Sequence, residues 1–378
     1  MRILHLDPDD MANPYSGGGP IRTHEIYKRL ARRHDITVLT PTFEGSTPEL
    51  YRNNIRYLRL GKKIRDHGSS HHITYLLSLP KAVRQFDYDL LVEDFMPPAS
   101  ATWTPIFRRR DRPLIASVQW FFARAYTKRL KLPFHWGEEF GVKMYDNFVV
   151  MTAAMRERIT ARHANANCQV IGNGVDDSLF DIQQKPGHGV LFLGRIEIHA
   201  KGIDLLLDAF SRIPEIERQP LILAGTVQEP ELLEGLINRY SLQQWVRIVG
   251  PYDSETRIRL LAECRFVVIP SRTETFGMTI AEANAAGRQV IIWDCAPMNE
   301  VAAPGCPRVK PFDISAYSLA MRELLALPPE QLSFLGEKAR SFARRWDWDT
   351  AAQLQEQFYL DVIENHRSKT ERIRNAET

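Results

Sequence analysis

The 378-residue chain is short of cysteine, of long apolar runs and of any strong imbalance of charge. Its four cysteines, Cys168, Cys264, Cys295 and Cys306, stand at no metal-ligating spacing and read as unpaired thiols of a reducing compartment. No apolar stretch is long enough to span a bilayer. The N-terminus opens on a strand, Arg2-Ile3-Leu4-His5-Leu6, rather than on a targeting segment, so a cytoplasmic protein is expected. A net charge of +3 is too small to point to nucleic acid. Residues 367–378 are polar and lack an apolar stripe, and they alone read as unstructured.

What is present is a repeated alternation of short apolar runs with helical stretches. In the first half, apolar runs at 3–6, 36–39, 55–58, 90–92, 114–118, 148–151 and 169–171 read as strands, and 21–33 has helical periodicity. The second half repeats the pattern at 190–193, 221–224, 246–249, 266–269 and 290–292. Helices are expected near 204–212, 229–240, 254–262, 278–286, 316–326 and 329–344. Such alternation makes parallel sheets flanked by helices. The fold class is α/β, with two Rossmann-like doubly wound domains whose strand-end loops face a cleft. The turn-rich stretch 172–189 marks the seam. It divides residues 1–175, rejoined by a C-terminal helix at about 350–378, from residues 176–349.

The most informative stretch runs from Pro270 to Ala283. A buried strand, Phe266-Val267-Val268-Ile269, stops at Pro270; Gly277 then opens a helix of small residues; Glu274 and Glu282 stand eight positions apart across that turn. Strand, glycine loop and buried helix start form a phosphate-holding arrangement, because free N–H groups at a helix start favour anions. Glu282, one turn inside the helix, needs hydrogen-bond donors, and a diol such as ribose would supply them. A second constellation, Gly194-Arg195 with Lys201-Gly202, puts a guanidinium after a strand and an ammonium before a helix, as a diphosphate would require. A third is the loop Gly17-Gly18-Gly19-Pro20, which lets backbone approach a ligand. Each also has a bland reading, as a solvated loop or a plain turn. Together the functional reading is the better one. The tripeptides Asp7-Pro8-Asp9, Asp87-Tyr88-Asp89 and Asp347-Trp348-Asp349 read as surface turns, not metal ligands.

In this order, the motifs resemble the retaining family 4 glycosyltransferases of the GT-B fold. The residues that carry the resemblance are Gly17–Gly19, Val150 to Met155, Ile171 to Asp176, Gly194-Arg195 with Lys201-Gly202, Ala224-Gly225, Val249-Gly250, and Glu274 with Glu282. The resemblance implies transfer of a sugar from a nucleotide-diphosphate donor to a hydroxyl acceptor, with neither a metal nor a cofactor. Retention comes by same-face attack, with no protein nucleophile. It implies that Arg195 and Lys201 neutralise the diphosphate and Glu274 holds sugar hydroxyls. Phe276, Gly277 and Met278, with Thr279, would present the helix start, and Glu282 would take the ribose. Gly17, Gly18 and Gly19 would close over the diphosphate and acceptor, Gly225 and Gly250 would stand at strand ends beside the base, and Gly194 would belong to the donor site. Where the family has a histidine touching the sugar, this chain has Gln119, which cannot become cationic. The first domain would take the acceptor, with Trp120 and Tyr126 as candidate contacts. The basic sets Arg108-Arg109-Arg110 and Lys28, Arg29, Arg32 and Arg33 read as solvated faces, with contact to anionic lipid the lesser reading. Rival functions are a nucleotide-sugar epimerase or hydrolase of the same fold, and a non-catalytic nucleotide-sugar binder.

Overall fold

The computed structural model describes residues 1–13, 16–62, 70–96, 99–119, 121, 123, 127, 134–183 and 185–377. The chain forms two compact units, Met1–Asn173 with Trp348–Thr378, and Gly174–Asp347.

Unit 1 is built on an eight-stranded sheet. Its strands are β1 (Arg2–Leu6), β2 (Asp35–Pro41), β3 (Glu49–Arg52), β4 (Ile55–Leu60), β5 (Leu90–Asp94), β6 (Leu114–Val118), β7 (Asn147–Val150) and β8 (Asn167–Val170), ordered β3-β4-β2-β1-β5-β6-β7-β8. All neighbours pair parallel except β3 with β4. Strands buried on both faces read as unbroken apolar runs, which is why the central ones were legible. β3 was not expected, because Glu-Leu-Tyr-Arg is a charged and largely exposed edge. The helices are α1 (Gly18–Leu30), α2 (Ser70–Gln85), α3 (Ala99–Phe107), α4 (Phe134–Val142) and α5 (Ala153–Thr160). The chain's last helix, Trp348–Glu377, packs on α1, where the buried Tyr359 hydroxyl meets that of Tyr27 at 3.3 Å. It corrects the reading of 367–378 as unstructured. A helix already nucleated and docked by its first five turns propagates through a polar tail at little cost. It also pairs with two cations of the basic α1 set, Arg29 with Asp349 and Arg33 with Glu356 at 2.5 Å, while Lys28 pairs with Glu25 of α1 at 2.5 Å.

Unit 2 has a six-stranded parallel sheet. Its strands are β9 (Val190–Leu193), β10 (Leu221–Ala224), β11 (Val246–Gly250), β12 (Phe266–Ile269), β13 (Val290–Trp293) and β14 (Arg308–Val309), ordered β11-β10-β9-β12-β13-β14. Its helices are α6 (Ile203–Ser211), α7 (Pro230–Arg239), α8 (Ser254–Glu263), α9 (Met278–Ala285), α10 (Met298–Val301), α11 (Ile314–Ala326) and α12 (Pro329–Ala343). The final helix is therefore α13. Every residue of β9, β12 and β13 is buried. Each large apolar side chain there contributes about 1.5–3 kcal/mol of burial. The two units are Rossmann-like α/β sheets, as expected. Among the described residues no helix is long and apolar enough to cross a membrane.

Candidate active site

In unit 2 the strand order reverses between β9 and β12: β10 and β11 follow on one side, β13 and β14 on the other. Open parallel sheets bind ligands at such a point, beyond the carboxyl ends of the strands. The loop after β9 carries Gly194, Arg195 and Lys201, and the loop after β12 carries Glu274, Phe276 and Gly277. The fold thus brings the two nominated segments to one place.

The two loops are laced together. Arg272 donates to Asp204 through both nitrogens at 2.7 Å and to the His199 carbonyl at 2.7 Å. Gly202 has φ +67°, and a Cβ there would lie 2.0 Å from the Pro270 carbonyl, so only glycine lets the loops touch. Across this junction Lys201 Nζ meets Glu274 Oε1 at 2.7 Å, with both side chains mostly buried. Arg195 is exposed and makes no ion pair among the described residues. Two cation–carboxylate pairs, Arg272–Asp204 and Lys201–Glu274, and the exposed Arg195 guanidinium therefore stand at the switch point.

α9 starts there. Gly277 caps it at φ +92° without a side-chain cap, and its first turn holds no acidic residue, so the positive end of the helix is not neutralised locally. Phe276 is buried edge-on against Trp346, 5.0 Å between centroids, which anchors the loop from behind. Thr279 Oγ1 donates to the Leu193 carbonyl at 3.4 Å, holding the first turn of α9 to the end of β9. One turn on, Glu282 is held by Arg257 of α8, Nη1 to Oε1 at 2.5 Å, and the same guanidinium reaches Asp176 at 3.4 Å. The donor that this buried carboxylate needs is thus supplied in part by the protein itself. Burial pushes its carboxyl above the usual range, and Arg257 opposes that rise. Burial and the Glu282 charge lift the nearby Tyr252 phenol to about 12. Arg257, Arg272 and Tyr252 were missed by sequence reasoning; each is an ordinary residue until the fold supplies its partner.

The glycines at the strand ends act through backbone packing. Gly194 N–H donates to the Ala224 carbonyl at 3.0 Å and Gly225 N–H to the Gly250 carbonyl at 2.8 Å. A Cβ on Gly225 would stand 1.8 Å from the Gly194 carbonyl. At the opposite end of this sheet a cavity of about 390 Å³ is lined by Lys185, Arg265 and Arg288 among others. Both arginines spend donors on carbonyls there, Arg265 on Leu324 and Arg288 on Leu261 at 2.7 Å, so the cavity is a knot of helix ends.

Unit 1 brings two more nominated residues together. Gly18 and Gly19 are the first turn of α1 rather than a free loop, with Gly17 as an N-cap that offers no side chain. Space beside Gly17 and Gly18 is open, and a Cβ on Gly19 would lie 3.8 Å from the Gln119 amide. Trp120 and Tyr126 lie outside the described residues.

The Asp7-Pro8-Asp9 turn is not a surface turn. Asp7 is 2% exposed, at the β1/β5 switch point beside Asp94, and burial with the Asp94 charge pushes its carboxyl well above the usual range. His5, Asp7 and Asp94 offer ligand atoms within 4.8 Å of one another. Both His5 nitrogens are engaged, Nδ1 by the Tyr27 hydroxyl at 2.6 Å and Nε2 by Asp94 at 3.2 Å, and the group reads as a hydrogen-bonded cluster.

Two family models match, "Glycosyl transferases group 1" over residues 176–342 and "Glycosyltransferase Family 4" over residues 16–179. The chain belongs to the family 4 glycosyltransferases. This family 4 chain is 26% identical over 251 residues to a glycogen synthase of Mycobacterium tuberculosis, an alignment that covers 63% of the chain and 60% of that relative's length. Among solved structures it resembles the sucrose-phosphate synthase of Thermosynechococcus elongatus, with a TM-score of 0.81 and 20% identity over 97% of this chain and 100% of that one. It also resembles Anabaena HepE in complex with UDP-glucose, with a TM-score of 0.74 and 18% identity over 94% and 99% of the two chains. At such identities these structures establish the GT-B fold alone.

Proposed function

We propose that the protein is a retaining glycosyltransferase that moves a sugar from a nucleotide-diphosphate sugar to a hydroxyl acceptor. The observation that carries this reading is the convergence, at one switch point, of the Lys201–Glu274 pair, exposed Arg195 and the uncapped start of α9. These groups balance a diphosphate's charge with preorganised cations and N–H dipoles, and so lower the cost of its departure without a metal. On diphosphate binding, Lys201 turns from Glu274 to phosphate oxygens, and the freed carboxylate accepts hydrogen bonds from sugar hydroxyls. Glu282, oriented by Arg257, accepts from the ribose hydroxyls.

As the anomeric carbon–phosphate oxygen bond breaks, the acceptor oxygen bonds to the same face of that carbon, and its proton goes to the departing phosphate oxygen. No protein nucleophile takes part. Anabaena HepE, described with UDP-glucose, supports a nucleotide-diphosphate sugar as donor. In unit 1 the uncapped start of α1 and Gln119 offer donors and acceptors to a hydroxylated ligand, and we assign the acceptor to this unit. Four free cysteines fit a cytoplasmic setting.

A thermal-shift screen against nucleotides and nucleotide sugars tests the donor. A ligand at a hundred times its dissociation constant stabilises by about 2.7 kcal/mol. With the donor in hand, release of free nucleotide only when acceptor is present, undiminished by a metal chelator, supports metal-independent transfer. Release without acceptor makes the protein a hydrolase, and no release with any nucleotide sugar that binds makes it a binder.

A further inference from the structure

The cavity at the amino edge of the unit 2 sheet has no part in the proposed chemistry. It lies where the chain enters β9, β12 and β13, one strand length from the donor groups at the other ends of the same strands. Its volume of about 390 Å³ falls among small-molecule pockets, which run from about 300 to 1,000 Å³. Three cations line it: Lys185 on the segment before β9, Arg265 just before β12 and Arg288 just before β13. Glu330, exposed in the first turn of α12, is the one acid among the described lining residues.

The protein holds these walls in place. Arg288, 5% exposed, donates to the carbonyls of Leu261 at 2.7 Å, Ala262 at 2.5 Å and Lys185 at 3.3 Å. The last bond fixes the Lys185 segment, and Gly187 lets it lie against β12, since a Cβ there would stand 2.0 Å from the Cys264 carbonyl. Arg265 donates through Nε to the Leu324 carbonyl at 3.1 Å and through Nη2 to the Leu327 carbonyl. Its Nη1 has no acceptor among the described residues. α12 begins at this cavity with Pro329 and no side-chain cap, so its positive end adds to the cations.

The carbonyls at the ends of α8 and α11 use up donors of both guanidiniums, but a helix end carries only about half a charge. None of the three cations makes an ion pair among the described residues. Burial holds Arg265 and Arg288 below the usual arginine range; Cys264 opposes this at Arg288, Arg340 adds to it, and no carboxylate raises either group. Buried positive charge without a counter-ion is costly.

We infer that this cavity binds the phosphoryl group of a small phosphate monoester. Arg265 through Nη1 and Lys185 through its ammonium meet phosphate oxygens, and Arg288 adds its charge from the wall. Ser333 offers a hydroxyl, and Pro186 and Leu332 give an apolar side to the organic part. A neutral sugar or a metal cation would leave the positive charge unanswered, whereas a dianion answers it.

Calorimetric titration of the full chain with glycerol 3-phosphate, inorganic phosphate and glycerol, at matched ionic strength, tests the site. Glycerol 3-phosphate should bind at one site per chain and raise the melting temperature, and glycerol should do neither. Inorganic phosphate binding as well as the ester supports a site that reads the phosphoryl group alone; weaker binding supports one that also grips the organic part. Lys185→Glu and Ser333→Glu, both at exposed positions, should each weaken binding by about tenfold or more by setting a carboxylate against the phosphate. Lys201→Ala, in the donor site, should leave it unchanged. An unaltered melting temperature in the absence of ligand checks each variant. Wild-type protein that binds neither phosphate compound overturns the inference. So does binding that Lys201→Ala abolishes and Lys185→Glu spares, which would place the anion in the donor site.

Discussion

The two units carry carboxylates at the same place, the switch point of a parallel sheet, and hold them in opposite ways. In unit 2, Glu274 and Glu282 each face a cation, at 2.7 and 2.5 Å, on elements that still open to solvent. In unit 1, Asp7, Glu93 and Asp94 are buried, and hydrogen bonds hold them: the Asp9 N–H to Asp7, the Thr104 and Tyr145 hydroxyls to Glu93, and His5 to Asp94. That cluster continues through Tyr27, Tyr359 and Gln355 to Arg22, whose guanidinium holds the Gly172 carbonyl and the Asn173 side chain. A cation–carboxylate pair at a strand end can exchange one partner for a ligand's charge at modest cost. A buried hydrogen-bonded network cannot, because any exchange leaves an unsatisfied polar group. The same fold thus places an exchangeable site in one unit and a fixed polar core in the other.

The largest expected effect breaks the exchangeable pair. Lys201→Ala and Glu274→Ala should each lower turnover by about a hundredfold to a thousandfold, the scale of losing one preorganised charge at a transition state. Stability should change by only about 1 kcal/mol, because the pair is neither deeply buried nor part of the core. Turnover assays and thermal melts of the same preparations read both. If stability collapses while turnover survives, Lys201–Glu274 is a structural pair and the contrast between the units disappears.

Arg257→Met asks how far the second pair resembles the first. Glu282 would stay in its buried setting without its cation, at a stability cost of about 2 kcal/mol. Its carboxyl, already above the usual range, would rise further. The sign has two consequences. The folded variant holds a proton that the unfolded chain releases, so its stability should fall as pH rises. Nucleotide affinity should instead recover as pH rises and the carboxylate returns. Adding Glu282→Gln should remove both trends, and a double-mutant cycle on nucleotide affinity measures the coupling. A pH-independent loss of affinity in Arg257→Met would mean that Arg257 acts on the ligand directly rather than through Glu282.

Legibility in the sequence followed the range of the interactions. Central strands such as β5, β6 and β12 were readable because burial on both faces leaves continuous apolar runs. The glycine-bearing loops were readable because a positive φ at Gly202 or Gly277 demands that residue. β3 and the two-residue β14 lack any apolar signature. α2, α3 and α4 were passed over because residues such as Leu77, Ile106 and Phe140 interrupt the usual amphipathic period with apolar side chains on the outer face, and α2 and α3 carry internal prolines. Arg257 and Arg272 find their partners 25 and 68 positions away, so no local pattern marks them. Asp7 was misread because Asp-Pro-Asp resembles a turn, while burial depends on β5 arriving beside it.

The smallest expected effect tests the fixed core of unit 1. Burial pushes the Glu93 carboxyl up to about 8, although hydrogen bonds from Tyr145 and Thr104 pull it down. Between its unfolded value and that folded value, the folded chain holds a proton that the unfolded chain does not. This group's contribution to stability is therefore full below about pH 4 and declines as pH rises toward 8, by up to about 1.4 kcal/mol per unit within that window. Glu93→Gln keeps the shape and hydrogen-bonding capacity of the neutral acid but cannot ionise. It should cost little at pH 5.5 and flatten the decline in melting temperature between pH 6 and 8, so that mutant and wild type converge or cross there. A parallel displacement of the two curves would mean that Glu93 is ionised in the folded state. Unit 1 would then hold a buried carboxylate supported by hydroxyl donors alone, and its difference from unit 2 would lie in the kind of partner rather than in the charge.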